Sequence, residues 1–175
     1  GYSDDNAKWV NEGKQMIWFS NRDGLRSYAT SGRMEEDVYT LFFDQAAWDK
    51  FRLSKEEFDL LKEIEKAKKP ESGEDKSKTE KSDSKEVKAI TFDWDGFEER
   101  KSRLTVHSAA MSDAVLSKDG EKLFYLARFE KGLNLWSTNL RTKETKLEIN
   151  LNANSGRLVW DKDQKNLYLF FMSLK

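Results

Sequence analysis

The 175-residue chain has no cysteine, a single histidine and a single proline. Without cysteine there is no disulfide framework and no thiolate metal site, and one imidazole cannot build a His-rich metal centre. No apolar run approaches the roughly 20 residues that a membrane-spanning helix needs. The longest, Leu167 to Met172, has the length of a strand. The basic-then-apolar pattern of a secretion signal is missing from the N-terminus. The 31 basic side chains stand against 32 acidic ones, a net charge of −1, so no global field recruits nucleic acid or an anionic membrane. What the chain has in excess is charge, at 36%, together with aromatics, at 13%. A disordered chain shows the first excess without the second. The composition therefore reads as an aromatic-rich packed part joined to a solvated, charged part.

Three zones carry that division. In the first, Met16 to Phe19 and Val38 to Phe43 are aromatic and β-branched runs suited to buried strands, with Asn21-Arg22-Asp23-Gly24 as turn chemistry between them. In the second, Asp44 caps a predicted helix from Gln45 to Phe51. Ser54 and Glu57 then have capping-box spacing, and Leu53 and Phe58 that of a hydrophobic staple. Phe58, Leu61, Ile64 and Leu60 give the second helix an apolar stripe, which serves either to dock on its own domain or to fill a partner's groove. The spacing allows this helix to run to Lys69. From Glu65 to Lys88 the apolar content collapses into alternating charge, the composition of a solvated loop. In the third zone short strands return: Ile90 to Phe92, Arg103 to Val106, Leu123 to Leu126, Asn134 to Ser137 and Leu167 to Phe170. Their regular spacing predicts an antiparallel all-β architecture.

An internal repeat sharpens this. Ser117-Lys118-Asp119-Gly120-Glu121-Lys122-Leu123-Phe124-Tyr125 aligns with Asp161-Lys162-Asp163-Gln164-Lys165-Asn166-Leu167-Tyr168-Leu169 at an offset of 44 residues, Ser117 to Asp161. Asn11-Glu12-Gly13-Lys14 before Met16-Ile17-Trp18 aligns as well. The step from Gly13 to Gly120 is 107 residues, one period of 44 plus 63, and the excess falls across the charged insertion and the helix before it. A polar turn followed by an apolar strand, at a period near 44, is the size of one four-stranded propeller blade. Without the insertion the chain holds about two and a half repeats. The expectation is a partial, open β-propeller of two to three blades built from antiparallel four-stranded sheets. Residues 1–44 would begin the first blade, 45–88 would form the insertion, and 89–175 would complete that blade and add about one and a half more.

The turns at Val10 to Lys14 and Leu116 to Gly120 resemble the repeat turns of TolB-like and tricorn-type propellers, without their proline. The order of Phe19 to Ser27, Asp37 to Gln45, Phe51 to Glu57, a charged run and then Asp95-Gly96-Phe97-Glu98-Glu99-Arg100 is similar to large bacterial tricorn-like serine peptidases, of the family that also holds the C-terminal processing proteases. That resemblance implies a propeller segment whose insertion lies within a blade and whose closing strand lies between Ile90 and Thr105. It also implies that the nucleophilic serine belongs to a separate downstream domain, that the chain is an excerpt, and that its partners are peptide substrates and the rest of the parent peptidase. A periplasmic or cell-envelope location is favoured by the resemblance alone.

No residue is assigned a catalytic role, and no cofactor or metal is expected. There is no Gly-x-Ser-x-Gly elbow. His107 and Ser108 are adjacent, and in an extended segment they face opposite ways. Asp93, Asp95, Glu98 and Glu99 fail the calcium-loop template and read as a turn neutralised by Arg100, Lys101 and Arg103; a carboxylate-based hydrolase is the alternative. Trp9, Trp18, Trp48, Trp94, Trp136 and Trp160 read as packing between blades rather than as a stacking platform. Arg22, Arg26 and Arg33 flank a loop and are the candidate peptide-binding residues, as clamps for carboxylates. The expected function is a non-catalytic segment that docks or gates peptides and scaffolds a catalytic module. The alternative is a stand-alone TolB-like module for protein binding. The apolar strand at Leu167 to Met172 is expected to leave an unpaired edge through which copies of the chain pair.

Overall fold

The computed structural model describes residues 1–27, 34–67 and 92–173. Arg33, the charged run from Lys68 onward with the expected extension of the second helix to Lys69, and the Ile90-Thr91 segment lie outside the described residues. Among the described residues, nine strands form two antiparallel meanders. The first runs β1 (Asp4–Val10), β2 (Gln15–Ser20), β3 (Asp37–Phe42), β4 (Lys101–Arg103), in that order across the sheet. The second runs β5 (Ala110–Leu116), β6 (Lys122–Arg128), β7 (Leu133–Asn139), β8 (Thr145–Trp160), β9 (Leu167–Ser173). The all-β expectation holds at this level: the chain is mostly β, with two helices among the described residues.

The strands follow the sequence where apolar and half-apolar positions alternate. Ile17 and Phe19 of β2 are buried while Met16 and Trp18, which alternate with them, are half-buried, the period of two that a sheet with one better-covered face demands. One core cluster gathers Ile17, Phe19 and Val38 from the first sheet with Ala114, Leu116, Leu123 and Tyr125 from the second. A second cluster, Val115, Leu126, Leu135 and Leu158, lies on four successive strands of the second sheet. That sheet curls strongly, so β8 comes back to β5 although β6 and β7 separate them in the ladder. Ser112 Oγ donates to the Gly156 carbonyl at 2.7 Å, and Trp160 Nε1 donates to the Leu116 carbonyl at 2.7 Å.

The second sheet differs from the expected four strands because β8 is 16 residues long and does two jobs. Thr145 to Ile149 pair with β7, and Ser155 to Trp160 pair with β9. The 44-residue repeat is visible in the turns. Ser117 N–H donates to the Lys122 carbonyl at 2.8 Å and Gly120 N–H to the Ser117 carbonyl at 2.9 Å; Asp161 and Gln164 make the same two bonds at 3.0 Å. Gly120 has φ +71°, which its missing Cβ permits, while Gln164 holds φ +54° in the equivalent place at a steric cost. The strands that precede the three turns each carry a bulge: between Asp5 and Lys8 in β1, between Met111 and Asp113 in β5, and between Ala153 and Ser155 in β8.

The insertion between β3 and β4 holds α1 (Gln45–Arg52) and α2 (Lys55–Ala67). Asp44 Oδ1 accepts from Ala47 N–H at 2.6 Å, the expected cap. The capping box is closed both ways: Ser54 N–H donates to Glu57 Oε2 at 2.8 Å and Glu57 N–H to Ser54 Oγ at 3.2 Å. The first of these bonds favours the carboxylate and holds Glu57 below the ordinary range. The apolar stripe of α2 is only partly used. Phe58 is buried, whereas Leu60 is 58% and Ile64 41% exposed. Arg141, from the turn after β7, lies over the Phe58 ring at 3.5 Å. It also donates to the Leu53 carbonyl at 2.8 Å and grips Glu121 through two bonds, at 2.7 and 3.0 Å.

The closing strand is shorter than expected. Only Lys101–Arg103 pairs with β3, and the segment from Trp94 to Glu99 is a turn followed by a 3-10 turn. Leu104 leaves the strand but is fully buried, its N–H donating to the Val38 carbonyl at 2.8 Å. At the other end, β9 is the outer strand of its sheet, with no ladder partner beyond it among the described residues; Tyr168, Phe170 and Met172 are exposed.

Candidate functional site

The three arginines singled out in the sequence are placed as follows. Arg22 Nη2 donates to both carboxylate oxygens of Asp4, at 3.1 and 3.2 Å, and its Nε donates to Ser20 Oγ at 3.1 Å. Its guanidinium lies between the rings of Tyr2 and Tyr39, 4.6 and 5.0 Å from their centres. Arg26 donates from Nε and Nη2 to the Asn21 carbonyl, at 3.1 and 2.9 Å, and from Nη1 to the Gly1 carbonyl. Both side chains thus hold the N-terminal segment and the turn after β2. Arg33 lies outside the described residues.

The acidic turn is organised by its backbone rather than its carboxylates. Arg100 is 2% exposed. It donates from Nη2 to the Asp93 carbonyl at 2.6 Å and to the Asp95 carbonyl, and from Nη1 to the Phe43 carbonyl at 3.3 Å. The expected neutralisation of Asp93 and Asp95 by Arg100 is therefore replaced by carbonyl contacts. The Asp93 carboxylate caps α1, accepting from Gln45 N–H at 2.8 Å. No group of three or more metal-binding side chains occurs among the described residues. His107 meets the Phe129 ring edge to face at 6.3 Å, while Ser108 Oγ donates to Asp37 Oδ2 at 2.8 Å, so the two neighbours do part company.

Sequence reading missed the polar joint between the sheets. Asp37 at the start of β3 is fully buried. Its carboxylate accepts from Thr105 Oγ1 at 2.7 Å and pairs with Arg103 at 2.8 Å. One residue earlier, Glu36 N–H donates to the Ala109 carbonyl at 2.8 Å and Ala109 N–H returns a bond to the Glu36 carbonyl at 3.1 Å, a bridge from the first sheet to the second. Asp113 on β5 ties three strands together. It accepts from Lys8 Nζ on β1, and from Leu158 N–H on β8 at 2.7 Å. Lys8 Nζ also donates to the Ala114 carbonyl at 3.0 Å.

An open cavity of about 470 Å³ lies on this joint, lined by Asp5, Lys8, Glu36, Ser112, Asp113 and Arg157 among others. Its walls come from the bulged stretches of β1 and β5, from Gly156 and Arg157 just past the bulge of β8, and from Phe19 and Glu36. Burial raises the Glu36 carboxyl above its ordinary value, and the neighbouring charge of Asp5 adds to the rise. The cavity thus presents side chains of both charge signs, which suits a polar ligand rather than an apolar one. The only sequence signal for it was the repeat itself, since the lining residues are polar and scattered.

Comparison of the chain with family models, with curated proteins and with solved structures returned no match. What the fold and the joint define is therefore a class: a mostly-β chain of two antiparallel sheets, one of them strongly curled.

Proposed function

We propose that this chain is a non-catalytic β-propeller segment of two and a half blades that docks extended peptides, in the manner expected of the propellers of tricorn-like serine peptidases. The observation that carries the reading is the equivalence of β1, β5 and the second half of β8. Each carries a bulge, each leads into the same kind of polar turn, and Asp113 bonds all three together. Propeller blades are arranged around a central channel, and on this reading the three strands are the first strands of successive blades that face it. On this reading β1 to β4 form one blade, β5 to the first half of β8 a second, and the rest of β8 with β9 begins a third. The cavity on the joint is then the inner, substrate-facing channel.

The test is binding of unstructured peptides to the intact chain, followed by calorimetry. The reading predicts binding that Arg157→Glu alters, because this exposed side chain lines the cavity and has no ion pair among the described residues. Peptides that do not bind, or that ignore this change, overturn the docking role. The coding sequence downstream of Lys175 tests the parentage: a peptidase module supports it, and a stop codon sinks it. The outer edge of β9, which has no ladder partner among the described residues, with Tyr168, Phe170 and Met172 exposed, favours pairing between two copies as a second reading. Sedimentation velocity decides that, and a monomer at all concentrations retires it.

A further inference from the structure

An aromatic stack leaves the core beside the acidic turn. Phe43, buried, meets Trp9 at 5.0 Å and Phe92 at 5.3 Å between ring centres. Phe92 stacks on Trp94 at 5.3 Å with an interplanar angle of 27°, and the Trp94 and Phe97 rings are perpendicular with their centres 5.6 Å apart. The stack ends in solvent: Trp9 is 54% and Trp94 64% exposed. This corrects the expectation that these tryptophans pack between blades. Trp94 is held from below by a rigid turn, since the buried Arg100 binds the carbonyls on both sides of it, at Asp93 and Asp95. A buried guanidinium that spends its hydrogen bonds on three backbone carbonyls fixes the loop geometry firmly.

The same turn carries Asp95, Glu98 and Glu99, all exposed and none in an ion pair among the described residues. An exposed indole on the same turn as exposed carboxylates complements a guanidinium or ammonium group: the ring attracts the cation and the carboxylates accept its hydrogen bonds. We propose that this surface docks a basic segment of a partner protein, with an arginine or lysine side chain laid on Trp94 and its charge met by Asp95, Glu98 and Glu99. The charge balance decides between occupants. A neutral glycan would use the indole and leave the carboxylates idle, and a second copy of this turn would bring acid against acid. The surface is built from residues other than those of the joint cavity, so the proposal stands or falls apart from the peptide-docking reading.

The experiment titrates the intact chain with a blocked peptide of alternating alanine and arginine, followed by tryptophan fluorescence and calorimetry. A glutamate counterpart and a neutral cello-oligosaccharide are titrated in parallel. The arginine peptide is expected to bind and the other two not. Trp94→Ala should weaken binding by about tenfold or more. The triple change Asp95→Asn, Glu98→Gln, Glu99→Gln should weaken it similarly and flatten its salt dependence. Trp94 is exposed, so circular dichroism of W94A should match the parent; if it does not, W94F with the triple variant carries the test. Binding indifferent to both changes, equal binding of the glutamate peptide, capture of the oligosaccharide instead, or self-association abolished by W94A would each overturn the proposal.

Discussion

The two sheets are the same meander built at different cost. Between β7 and β8 the chain turns in residues 140–144; between β3 and β4 it runs through 43–100, with two helices on the way. The shorter turn is held locally, with Asn139 Oδ1 accepting from the N–H groups of Arg141 and Thr142 at 3.0 Å. The longer one is tied at its base. Phe42 N–H donates to the Arg100 carbonyl at 3.0 Å, Asp93 N–H to the Phe43 carbonyl at 2.9 Å, and the Arg100 guanidinium spans both sides. Loop-closure entropy grows only slowly with length, by about 0.6 kcal/mol per doubling. A strand connection can therefore accept a long insertion provided its two ends are pinned where they leave the sheet. The pin at its base lets β4 pair with β3, and the length between them matters much less.

The largest test of that contrast is Arg100→Ala. It strips the base of the insertion, removes the guanidinium from the Asp93 and Asp95 carbonyls, and leaves the Phe43 carbonyl with the Asp93 N–H alone. A loss of about 3 kcal/mol is expected, since each hydrogen bond to a charged group contributes about 1.5–3 kcal/mol and water recovers part of the total. Urea unfolding measures it, and an unchanged midpoint would show that the insertion closes without its pin. Next in size is Arg141→Ala, which cuts the helices from the second sheet. It removes the Glu121 pair, the Leu53 carbonyl bond and the contact with Phe58. A cost of about 2 kcal/mol is expected, from a largely buried ion pair and a cation–π contact. Limited proteolysis should then cleave within α1 and α2 while β5 to β9 stay protected. Arg141→Lys should behave nearly as badly, because an ammonium cannot make the two-pronged Glu121 contact and lie flat on Phe58 together. Wild-type protection in that variant would reduce Arg141 to a surface contact.

These two arginines also mark what the sequence could say. The caps at Asp44 and Ser54 were legible because capping is local, and so were β2, β3, β6, β7 and β9, whose apolar runs announce themselves. The strands β1, β5 and β8 were not. Asp4 to Val10 and Thr145 to Trp160 have mostly exposed, polar sequences, and their order comes from ladders with neighbours far along the chain. The carbonyl grip of Arg100 was illegible for another reason: every residue has a carbonyl, so the side-chain pattern of Asp93 to Glu99 pointed to charge pairing instead. Asp113 with Lys8 illustrates the third kind of failure, a pair 105 residues apart that only the folded joint brings together. The candidate arginines Arg22 and Arg26 were chosen for charge, and the fold engages both with the N-terminal segment.

A smaller effect separates the two repeat turns within the second sheet. Gly120→Ala places a Cβ at φ +71°, in open space, so its cost is backbone strain alone, about 1 kcal/mol. Gln164→Gly relieves the same strain at φ +54° and should be neutral to slightly stabilising, because glycine's extra unfolded-state freedom offsets the gain. Opposite signs in thermal unfolding would establish that the two turns share one backbone requirement 44 residues apart. Equal signs would reduce their likeness to hydrogen-bond pattern.

The smallest effect lies where the sheets meet. Glu36 bridges to Ala109 through backbone bonds only, while its side chain faces a cavity shared with Asp5, Lys8, Asp113 and Arg157. Its carboxyl is raised above the ordinary 4.5 by burial and by Asp5. A carboxyl raised by folding binds its proton more tightly in the folded chain, so ionising it destabilises the fold. That destabilisation is absent below the unfolded-state value, grows as pH climbs toward the raised folded value, and is complete above it. Glu36→Gln leaves the backbone bridge untouched and removes the charge. The variant should match the parent in Tm at pH 4 and unfold at a slightly higher temperature at pH 7. If its advantage is largest at pH 4, or if it is less stable at pH 7, the side chain holds the joint through a contact of its own. The two sheets would then be joined at Glu36 by more than the pair of backbone bonds.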